Sequence, residues 1–402
     1  MTNSATSHLL PVFARVDLGF ERGEGAWLIA TNGERYLDFT SGVAVNALGH
    51  AHPHLVAALQ EQATKLWHMS NLFKSPDGER LAARLCEQSF ADFVFFANSG
   101  AEAMECAIKI ARRYHASKEH PERYRLVTFE GAFHGRTLGT LAATGSAKYL
   151  QGFGPPLDGF DQVPHGDLEA VKKAIGPHTA GILIEPVQGE GGVRSAPPAF
   201  FRALRQLCDD KHILLIFDEV QTGMGRTGDL FAYKRLGVTP DIMPLAKALG
   251  GGFPIGACLA TAEAASGMTP GSHGSTFGGN PLAVAAANAV LDVMLQPGFF
   301  EHAQKMSLLL KQKLASVVDR HPKVLAEVRG EGLLIGLKAV VPSGDLVNAL
   351  RDERLLTVGA GDNVVRFLPP LIVTEAEIEQ SVQRLDRACV ALSGGELKRA
   401  AS

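Results

Sequence analysis

Short, continuous apolar runs alternate with longer segments of helical periodicity through the middle of the chain. The helical patterns cover Ala101–Tyr114, Pro198–Asp210 and Pro281–Leu295. Runs that are apolar throughout indicate strands buried on both faces, and their alternation with helices predicts an α/β fold around a mainly parallel sheet. The predicted strands are Phe93–Phe96, Leu126–Phe129, Gly181–Ile184, Ile213–Phe217, Ile242–Leu245 and Ile255–Ala260.

The pattern changes from about Gly298 onward. An amphipathic helix at Glu301–His321, several short strand-like runs and a last helix at Glu375–Leu392 predict a smaller α+β domain. Near the N-terminus, Ala26–Ile29 and Tyr36–Phe39 predict a hairpin. We therefore expect three parts: an N-terminal segment over 1–60 that packs with the small domain, a large domain over 61–297, and the small domain over 298–402.

The composition is that of a soluble globular enzyme. Of 402 residues, 46% are hydrophobic and 20% are charged, and the net charge is −3. This balance gives no electrostatic reason to expect nucleic acid or an anionic membrane as a partner. The longest apolar stretch, Leu282–Leu295, is shorter than the roughly 20 residues that span a bilayer, so it predicts a buried helix.

The cysteines and the N-terminus indicate a reducing compartment. The N-terminal sequence lacks a basic segment followed by an apolar one, so we expect no secretion signal and a cytoplasmic protein. The cysteines are odd in number, scattered and never in a CxxC pair, which favours buried free thiols over disulfides or zinc. They are Cys86, Cys106, Cys208, Cys258 and Cys389.

Lys247 is the only lysine or arginine between Arg235 and Lys305. Apolar residues precede it and glycines follow it. Burial in such surroundings lowers the pKa of an amine and makes it a nucleophile toward carbonyls. Taken alone, the sequence around Lys247 favours the alternative, a lysine that extends to solvent from the end of a buried strand.

Two glycine- and hydroxyl-rich turns precede predicted helices. In the first, Ser99 and Glu102 have the spacing of a capping box, and the free N–H groups of a helix N-terminus bind phosphate. In the second, Ser275 and Thr276 precede a helix that starts near Pro281. An ordinary helix cap and a glycine-rich turn without a ligand are the alternatives.

Three further loops follow predicted strands. Phe133 and Arg136 share one loop, where an aromatic ring could cover a planar cofactor and an arginine could bind a carboxylate, although core packing and a surface ion pair are the alternatives. Asp218 ends a buried apolar run and needs a partner, such as a protonated pyridine nitrogen. Glu190 lies in a glycine-rich loop, either as a gate for a charge or as a solvated acid.

Other interpretations of these motifs are weaker. Asp218-Glu219 resembles a magnesium-binding Walker B pair, but no GxxxxGK[ST] loop occurs, and Glu219 is alternatively a structural partner of Arg226. His50, His52 and His54 have no matching carboxylate or cysteine cluster, so we expect no metal site.

Taken together, the motifs resemble the class III, pyridoxal-phosphate-dependent aminotransferases of fold type I, over almost the whole chain. The resemblance implies a mainly parallel seven-stranded sheet in a large domain plus a smaller α+β domain. The motifs are Tyr36–Asn46 with Gly49–Pro53, Asn98–Ala103, Phe129–Thr137, Glu185–Gly192, Asp218–Gly223, Leu245–Gly252 and His273–Pro281.

The resemblance also implies roles for single residues toward pyridoxal 5'-phosphate (PLP). Lys247 is the Schiff-base lysine, and Asp218 pairs with the pyridinium nitrogen. The resemblance also implies that Phe133 and Val220 cover the two ring faces and that Gln221 lies near the phenolic oxygen. Ser99, Gly100 and Ala101 are implied at the phosphate, and Thr276 at the phosphate of a partner subunit. His134 is a further implied cofactor contact. The implied substrate contacts are Arg136, Ser275 and Glu190, which can cover a second arginine, Arg366.

The implied activity is ping-pong transamination by a homodimer with shared active sites. Within the class, the resemblance favours transfer of the δ-amino group of N2-acetylornithine to 2-oxoglutarate. Succinylornithine, ornithine and 4-aminobutyrate are alternative substrates of the same class. A PLP-binding protein without turnover is an alternative of another kind, against which the presence of Lys247, Asp218 and Arg136 argues.

Overall fold

The computed structural model describes residues 8–399, with side chains up to residue 394. Its strands are β1 (Phe20–Glu24), β2 (Trp27–Ala30), β3 (Arg35–Asp38), β4 (Phe93–Ala97), β5 (Arg125–Phe129), β6 (Phe160–Val163), β7 (Thr179–Ile184), β8 (Val187–Gln188), β9 (Arg194–Ser195), β10 (Leu214–Phe217), β11 (Ile242–Leu245), β12 (Gly256–Ala260), β13 (Leu325–Glu331), β14 (Leu334–Ala339), β15 (Leu355–Leu356), β16 (Val358–Ala360) and β17 (Val364–Phe367).

The helices lie between these strands and at the C-terminus. They are α1 (Ser41–Ala44), α2 (Pro53–Ala63), α3 (Pro76–Glu87), α4 (Gly100–Ser117), α5 (Leu138–Thr144), α6 (Ala147–Leu150), α7 (Leu168–Ala174), α8 (Pro198–Lys211), α9 (Ala232–Leu236), α10 (Pro281–Met294), α11 (Phe299–Arg320), α12 (Ser343–Asp352) and α13 (Glu375–Arg399), with 3₁₀ turns at Lys247–Gly250 and Ala264–Gly267.

Seven strands form the central sheet in the order β4-β12-β11-β10-β7-β5-β6. Only β12 runs antiparallel to its neighbours, β11 and β4. The predicted mainly parallel seven-stranded sheet is therefore confirmed. Six of its strands coincide with predicted apolar runs, whereas the edge strand β6 was not predicted, because its sequence FDQV has polar residues at its centre.

The middle of this sheet is the core of the fold. Every residue of β7, β10 and β11 is buried. Burial of one leucine or isoleucine side chain stabilises a fold by roughly 1.5–3 kcal/mol, so these continuous apolar strands hold the sheet in place. The helical prediction for Pro281–Leu295 is also confirmed: α10 is mostly buried, as its alanine-rich sequence indicated.

Residues from both ends of the chain share a second sheet, in the order β1-β2-β3-β15. The predicted hairpin is confirmed by the antiparallel pair β2–β3, and β3 pairs in parallel with β15, where Leu37 is opposite Leu355. A third sheet, β13-β14-β17-β16, is antiparallel. The domain boundaries at residues 60 and 297 stay predictions.

The predicted pairing of Glu219 with Arg226 is wrong. Glu219 accepts hydrogen bonds from the backbone N–H groups of Ala232 (2.7 Å) and Tyr233 (2.8 Å). Arg226 is turned away and donates to the carbonyls of Leu333 (3.1 Å) and Pro369 (2.6 Å). Burial raises the pKa of Glu219 to about 7, and the two backbone donors oppose that shift. Both side chains are therefore structural, but Glu219 binds the start of α9, whereas Arg226 binds the backbone at Leu333 and Pro369.

The cysteines and the hydrophobic helices agree with the sequence patterns. All five cysteines are free thiols, and all except the half-buried Cys86 are buried. Between residues 8 and 399, no single helix is long and apolar enough to cross a membrane; α10 and α11 meet that test only when joined across a 75° bend.

Candidate active site

A cavity of about 420 Å³ opens where five strands of the central sheet end: β4, β5, β7, β10 and β11. This is the edge at which open α/β sheets bind ligands. Most of the residues selected from the sequence meet here. The cavity is lined by the predicted residues Ser99, Gly100, Ala101, Phe133, His134, Arg136, Glu190, Asp218, Val220, Gln221 and Lys247.

Lys247 follows β11 at the floor of the cavity. Its φ of 44° is left-handed, a conformation that costs a side-chain-bearing residue free energy and that concentrates at functional sites. Burial lowers the pKa of its amine to about 8; the positive charge of Arg366 acts in the same direction, while Glu190 and Asp218 oppose it. A substantial fraction of the amine is therefore neutral near physiological pH, as a nucleophile requires.

Asp218 follows β10 and is fixed by two contacts. Its Oδ2 lies 2.7 Å from His134 Nδ1, and its Oδ1 accepts a hydrogen bond from the N–H of Val220 at 3.0 Å. Both the Asp218 and the His134 side chains are buried. The carboxylate is thus held in one orientation in the cavity wall, where a cationic ligand atom would compensate its charge.

The helix N-terminus at the cavity has the predicted cap. Ser99 Oγ accepts from the N–H of Glu102 (3.2 Å), and the Glu102 carboxylate returns to the N–H of Asn98 (2.7 Å), one residue earlier than in a standard capping box. A side chain at Gly100 would place a Cβ 2.7 Å from Val220 Cγ1. Only glycine therefore allows the first turn of α4, with its anion-binding N–H groups, to lie this close to the cavity.

Phe133 and Arg136 lie on the loop after β5. The N–H of Phe133 donates to Glu185 Oε2 at 3.0 Å, which fixes the loop against the end of β7. The exposed Arg136 guanidinium lies over the ring of Tyr149, 3.8 Å from its centroid, and 5.5 Å from the ring centroid of Phe133. Within residues 8–394, Arg136 forms no ion pair, so its donors are available to a ligand.

Glu185 lines the cavity and Tyr149 contacts Arg136 from outside it, although the sequence assigned neither residue a role. Ile184 and Phe217 are paired in register, so Glu185 and Asp218 follow side by side. Burial raises the pKa of Glu185 well above its usual value, and the Asp218 carboxylate raises it further. Glu185 could have been predicted from the sequence, because, like Asp218, it is a charged residue directly after an apolar strand.

Glu190 and Arg366 form an ion pair beside the cavity. Glu190 Oε1 lies 2.7 Å from Arg366 Nη1, and Arg366 also donates to the carbonyl of Gly359 at 3.1 Å. Arg366 itself is only 1% exposed and does not line the cavity, whereas Glu190 does. The acid therefore stands between the cavity and the arginine.

Besides Arg366, two further predicted residues, Ser275 and Thr276, lie outside the cavity of this chain. Ser275 Oγ accepts hydrogen bonds from the N–H of Gly278 (3.0 Å) and from Asn98 Nδ2 (3.1 Å). Thr276 is exposed at the surface. Ser275 thus holds the loop before α10 against the end of β4, and its predicted substrate contact has no counterpart in the single chain.

The arrangement fits a flat, phosphorylated aromatic aldehyde. The helix N-terminus provides anion-binding donors, Lys247 an amine, and Asp218 a carboxylate for a ring cation. Among the described residues, the buried atoms His134 Nε2 and Gln221 Oε1 have no partner. Unpaired buried polar atoms at a cavity indicate that a ligand completes their hydrogen bonds.

The class of the protein follows from the fold, this site and a family comparison. Residues 13–389 match the family model for class III aminotransferases. The chain belongs to the class III aminotransferases, and PLP is its cofactor.

Close relatives narrow the comparison. The chain is 83% identical over 402 residues to acetylornithine aminotransferase 1 of Bradyrhizobium diazoefficiens, covering 100% of this chain and 99% of that protein. It is 61% identical to acetylornithine aminotransferase of Agrobacterium fabrum, covering 98% and 99% of the two chains.

Solved structures agree with the fold. N-acetylornithine aminotransferase of Stenotrophomonas maltophilia superposes with a TM-score of 0.84 at 38% identity, over 95% of this chain and 98% of that chain. Ornithine aminotransferase of Toxoplasma gondii superposes with a TM-score of 0.93 at 32% identity, over 96% and 94%.

Proposed function

We propose that this enzyme transfers the δ-amino group of N2-acetylornithine to 2-oxoglutarate, giving N-acetylglutamate 5-semialdehyde and glutamate in arginine biosynthesis. The observation that supports this most directly is the pair of arginines at the cavity. Arg136 is free, whereas Arg366 is covered by Glu190. One free arginine suits an amine donor with one carboxylate, and a second that can be uncovered suits a dicarboxylate acceptor.

The cavity residues would hold the cofactor by complementary chemistry. When bound, PLP supplies an electrophilic aldehyde and an electron-withdrawing ring. We assign Lys247 to the aldehyde, Asp218 and His134 to the ring nitrogen side, and Gln221 to the phenolic oxygen. Phe133 and Val220 cover the two ring faces, and Ser99, Gly100 and Ala101 bind the phosphate.

Lys247 and Asp218 have different roles in the reaction: Lys247 transfers protons, and Asp218 stabilises charge. Lys247, with its pKa near 8, removes a proton from the substrate carbon as the neutral amine and returns one as the ammonium. Asp218, oriented by its contact with His134 and buried in the cavity wall, stabilises a positive charge opposite it. Neither residue has to move far, because each is fixed at the end of a buried strand.

The two substrates would share the cavity by using different arginines. Arg136 binds the α-carboxylate of N2-acetylornithine, so that its terminal amine reaches Lys247. For glutamate or 2-oxoglutarate, Glu190 leaves Arg366, and the uncovered guanidinium binds the second carboxylate. Ser275 is assigned to the substrate side from the partner subunit.

Replacing Glu190 with glutamine should shift the substrate preference. The Glu190→Gln side chain keeps its size but no longer neutralises Arg366, which is left open to dicarboxylates. We expect kcat/KM for glutamate, relative to N2-acetylornithine, to rise by about tenfold, the equivalent of about 1.4 kcal/mol. Steady-state kinetics with both amine donors measures this ratio. Glu375→Gln, which breaks an exposed ion pair with Lys305 away from both Glu190 and the cavity, is the control; an unchanged ratio in Glu190→Gln contradicts the switch.

A substrate panel tests the proposed activity. We expect kcat/KM for N2-acetylornithine to exceed the values for N2-succinylornithine, ornithine and 4-aminobutyrate, each measured with 2-oxoglutarate. N-succinyl-diaminopimelate belongs in the panel, because a relative 45% identical to the chain, from Photorhabdus laumondii, is named acetylornithine/succinyldiaminopimelate aminotransferase. A preference for another amine over N2-acetylornithine would replace the proposed substrate while leaving the class unchanged.

We also propose that the enzyme is a cytoplasmic homodimer in which Thr276 reaches the cofactor phosphate of the partner subunit. Thr276 is exposed beside a group of large exposed apolar residues, which is unusual on a monomer surface. Asn71 Nδ2 joins the two segments of this group by donating to the carbonyls of Ser275 (2.9 Å) and Gly278 (3.2 Å). The apolar residues are Trp67, Leu72, Phe73 and Phe277.

A charge in that apolar group should dissociate the dimer. Leu72 is 87% exposed in the single chain, so Leu72→Asp leaves the fold of one subunit intact but buries a charge at the interface, at a cost of several kcal/mol. We expect sedimentation velocity to give a monomer with weakened PLP binding. Leu308→Asp, at an exposed position of α11, should remain dimeric; a dimeric Leu72→Asp protein would mean that the interface lies elsewhere.

A further inference from the structure

Arg136 is held by an aromatic side chain from a neighbouring loop. Tyr149 lies on the short helix α6, and its ring centroid is 3.8 Å from the Arg136 guanidinium carbon. The same ring meets the edge of Phe133, with centroids 6.3 Å apart and planes at 88°. Lys148 Nζ is 6.0 Å from the Tyr149 ring, at the limit of a cation–π contact. Arg136 is thus the closer cation on this ring.

We propose that Tyr149 is a positioning residue that presents Arg136 to substrate carboxylates. The proposal rests on the proposed function, in which Arg136 binds the carboxylate of each substrate. It adds a residue that touches neither cofactor nor reacting atoms but determines how tightly the carboxylate is bound.

The geometry of a guanidinium explains why an aromatic support suits this task. All five N–H donors point outward in the plane of the group, and an aromatic ring contacts only its face. A carboxylate neighbour would occupy some of those donors and would compete with the substrate. Tyr149 leaves all of them free, while its attraction for the cation, about 0.5–1 kcal/mol at exposed sites, reduces the number of conformations that Arg136 samples.

Tyr149 also lies beside a second cavity that adjoins the first. A second, polar cavity of about 980 Å³ is lined by Tyr149 and shares Phe133 and Glu190 with the first. Tyr149 therefore lines the second cavity, while Arg136 lines the first. The α5–α6 turn that brings the ring here is fixed by Gln162, whose Nε2 donates to the carbonyl of Thr144 at 2.8 Å.

The test compares ligands with and without a carboxylate. Glutarate affinity for the PLP-loaded enzyme is measured by calorimetry, and the single-turnover half-reaction with 1-aminopentane, which has no carboxylate, is followed by absorbance. We expect Tyr149→Leu to weaken glutarate binding by about fivefold, with the 1-aminopentane rate unchanged. Tyr149→Phe, which keeps the ring, should bind glutarate within about twofold of the parent.

A double-mutant cycle connects the effect to Arg136. Arg136→Ala should weaken glutarate binding, and adding Tyr149→Leu to that variant should cause no further loss. Tyr124→Leu removes a tyrosine that also lies near arginines but does not line either cavity, so it should leave glutarate binding unchanged.

Three results would overturn the role of Tyr149: parent-like glutarate binding by Tyr149→Leu, an equal loss with 1-aminopentane, or a loss that persists in the Arg136→Ala background. These results are independent of the proposed substrate. If the enzyme ignored N2-acetylornithine but the glutarate cycle gave the expected pattern, only the assigned amine donor would be wrong.

Discussion

Replacing Lys247 with alanine abolishes transamination, by at least about 10³-fold in kcat, while PLP still binds. Lys247 is the only lysine that lines the cavity among the described residues, and its lowered pKa provides the neutral amine. The helix N-terminus proposed to bind the phosphate and the Asp218 carboxylate are unaffected by the change, so non-covalent binding survives. Single-turnover kinetics with N2-acetylornithine measures the loss, and absorbance after dialysis measures the retained cofactor.

Lys311→Ala is the matched control for this variant. Burial also lowers the pKa of Lys311, whose amine donates to the carbonyl of Gly330, yet this lysine lies outside the cavity. Its removal should affect stability and leave kcat within about twofold of the parent. Near-normal turnover by Lys247→Ala would show that another base carries the proton.

Asp218→Asn should reduce kcat by about 10²–10³-fold, the effect of removing one preorganised electrostatic contact from an active site. Asparagine has the shape of aspartate, and its single oxygen can still accept from the N–H of Val220, while its NH2 group takes the place of Oδ2 beside His134 Nδ1. What is lost is the negative charge opposite the ring nitrogen. Stopped-flow kinetics of the first half-reaction isolates the effect, because that step precedes binding of the second substrate.

Asp292→Asn gives the comparison for Asp218. Asp292 also contacts a histidine, His54 Nε2 at 3.0 Å, but at the surface. The exchange there should change neither kcat nor PLP affinity. If Asp218→Asn retained full activity, the charge of Asp218 would be unnecessary, and its contact with His134 would be purely structural.

Much of the fold was predictable, because buried strands and helices leave periodic patterns. Two strands that the sequence did not predict, β1 and β6, lie at the edges of their sheets. β1, with the sequence FERGE, is mostly exposed, and β6 has polar residues at its centre. An edge strand buries little apolar surface, so its sequence need not be apolar, and its pairing is decided by the neighbouring strand.

Candidate site residues that follow a buried strand could be predicted from the sequence, whereas contacts between two distant loops could not. Asp218 and Lys247 each follow an apolar run directly. Tyr149 contacts Arg136 only because the chain after α5 turns back, and no periodicity indicates that path. The predicted pairing of Glu219 with Arg226 was wrong for a related reason. Two side chains that are close in sequence can point in different directions, and Arg226 donates to carbonyls more than 100 residues away.

The pairing of the antiparallel strand β12 with its two neighbours fixes the distance between Lys247 and the N-terminus of α4. It returns from the Lys247 turn and pairs on one side with β11, Leu245 opposite Ala257, and on the other with β4, Gly256 opposite Ala97. A two-residue slip of either pairing would move the lysine relative to the helix N-terminus by about 7 Å. The separation between the two proposed anchoring points of one small molecule is therefore encoded in strand register, by backbone pairs that have no assigned contact with that molecule.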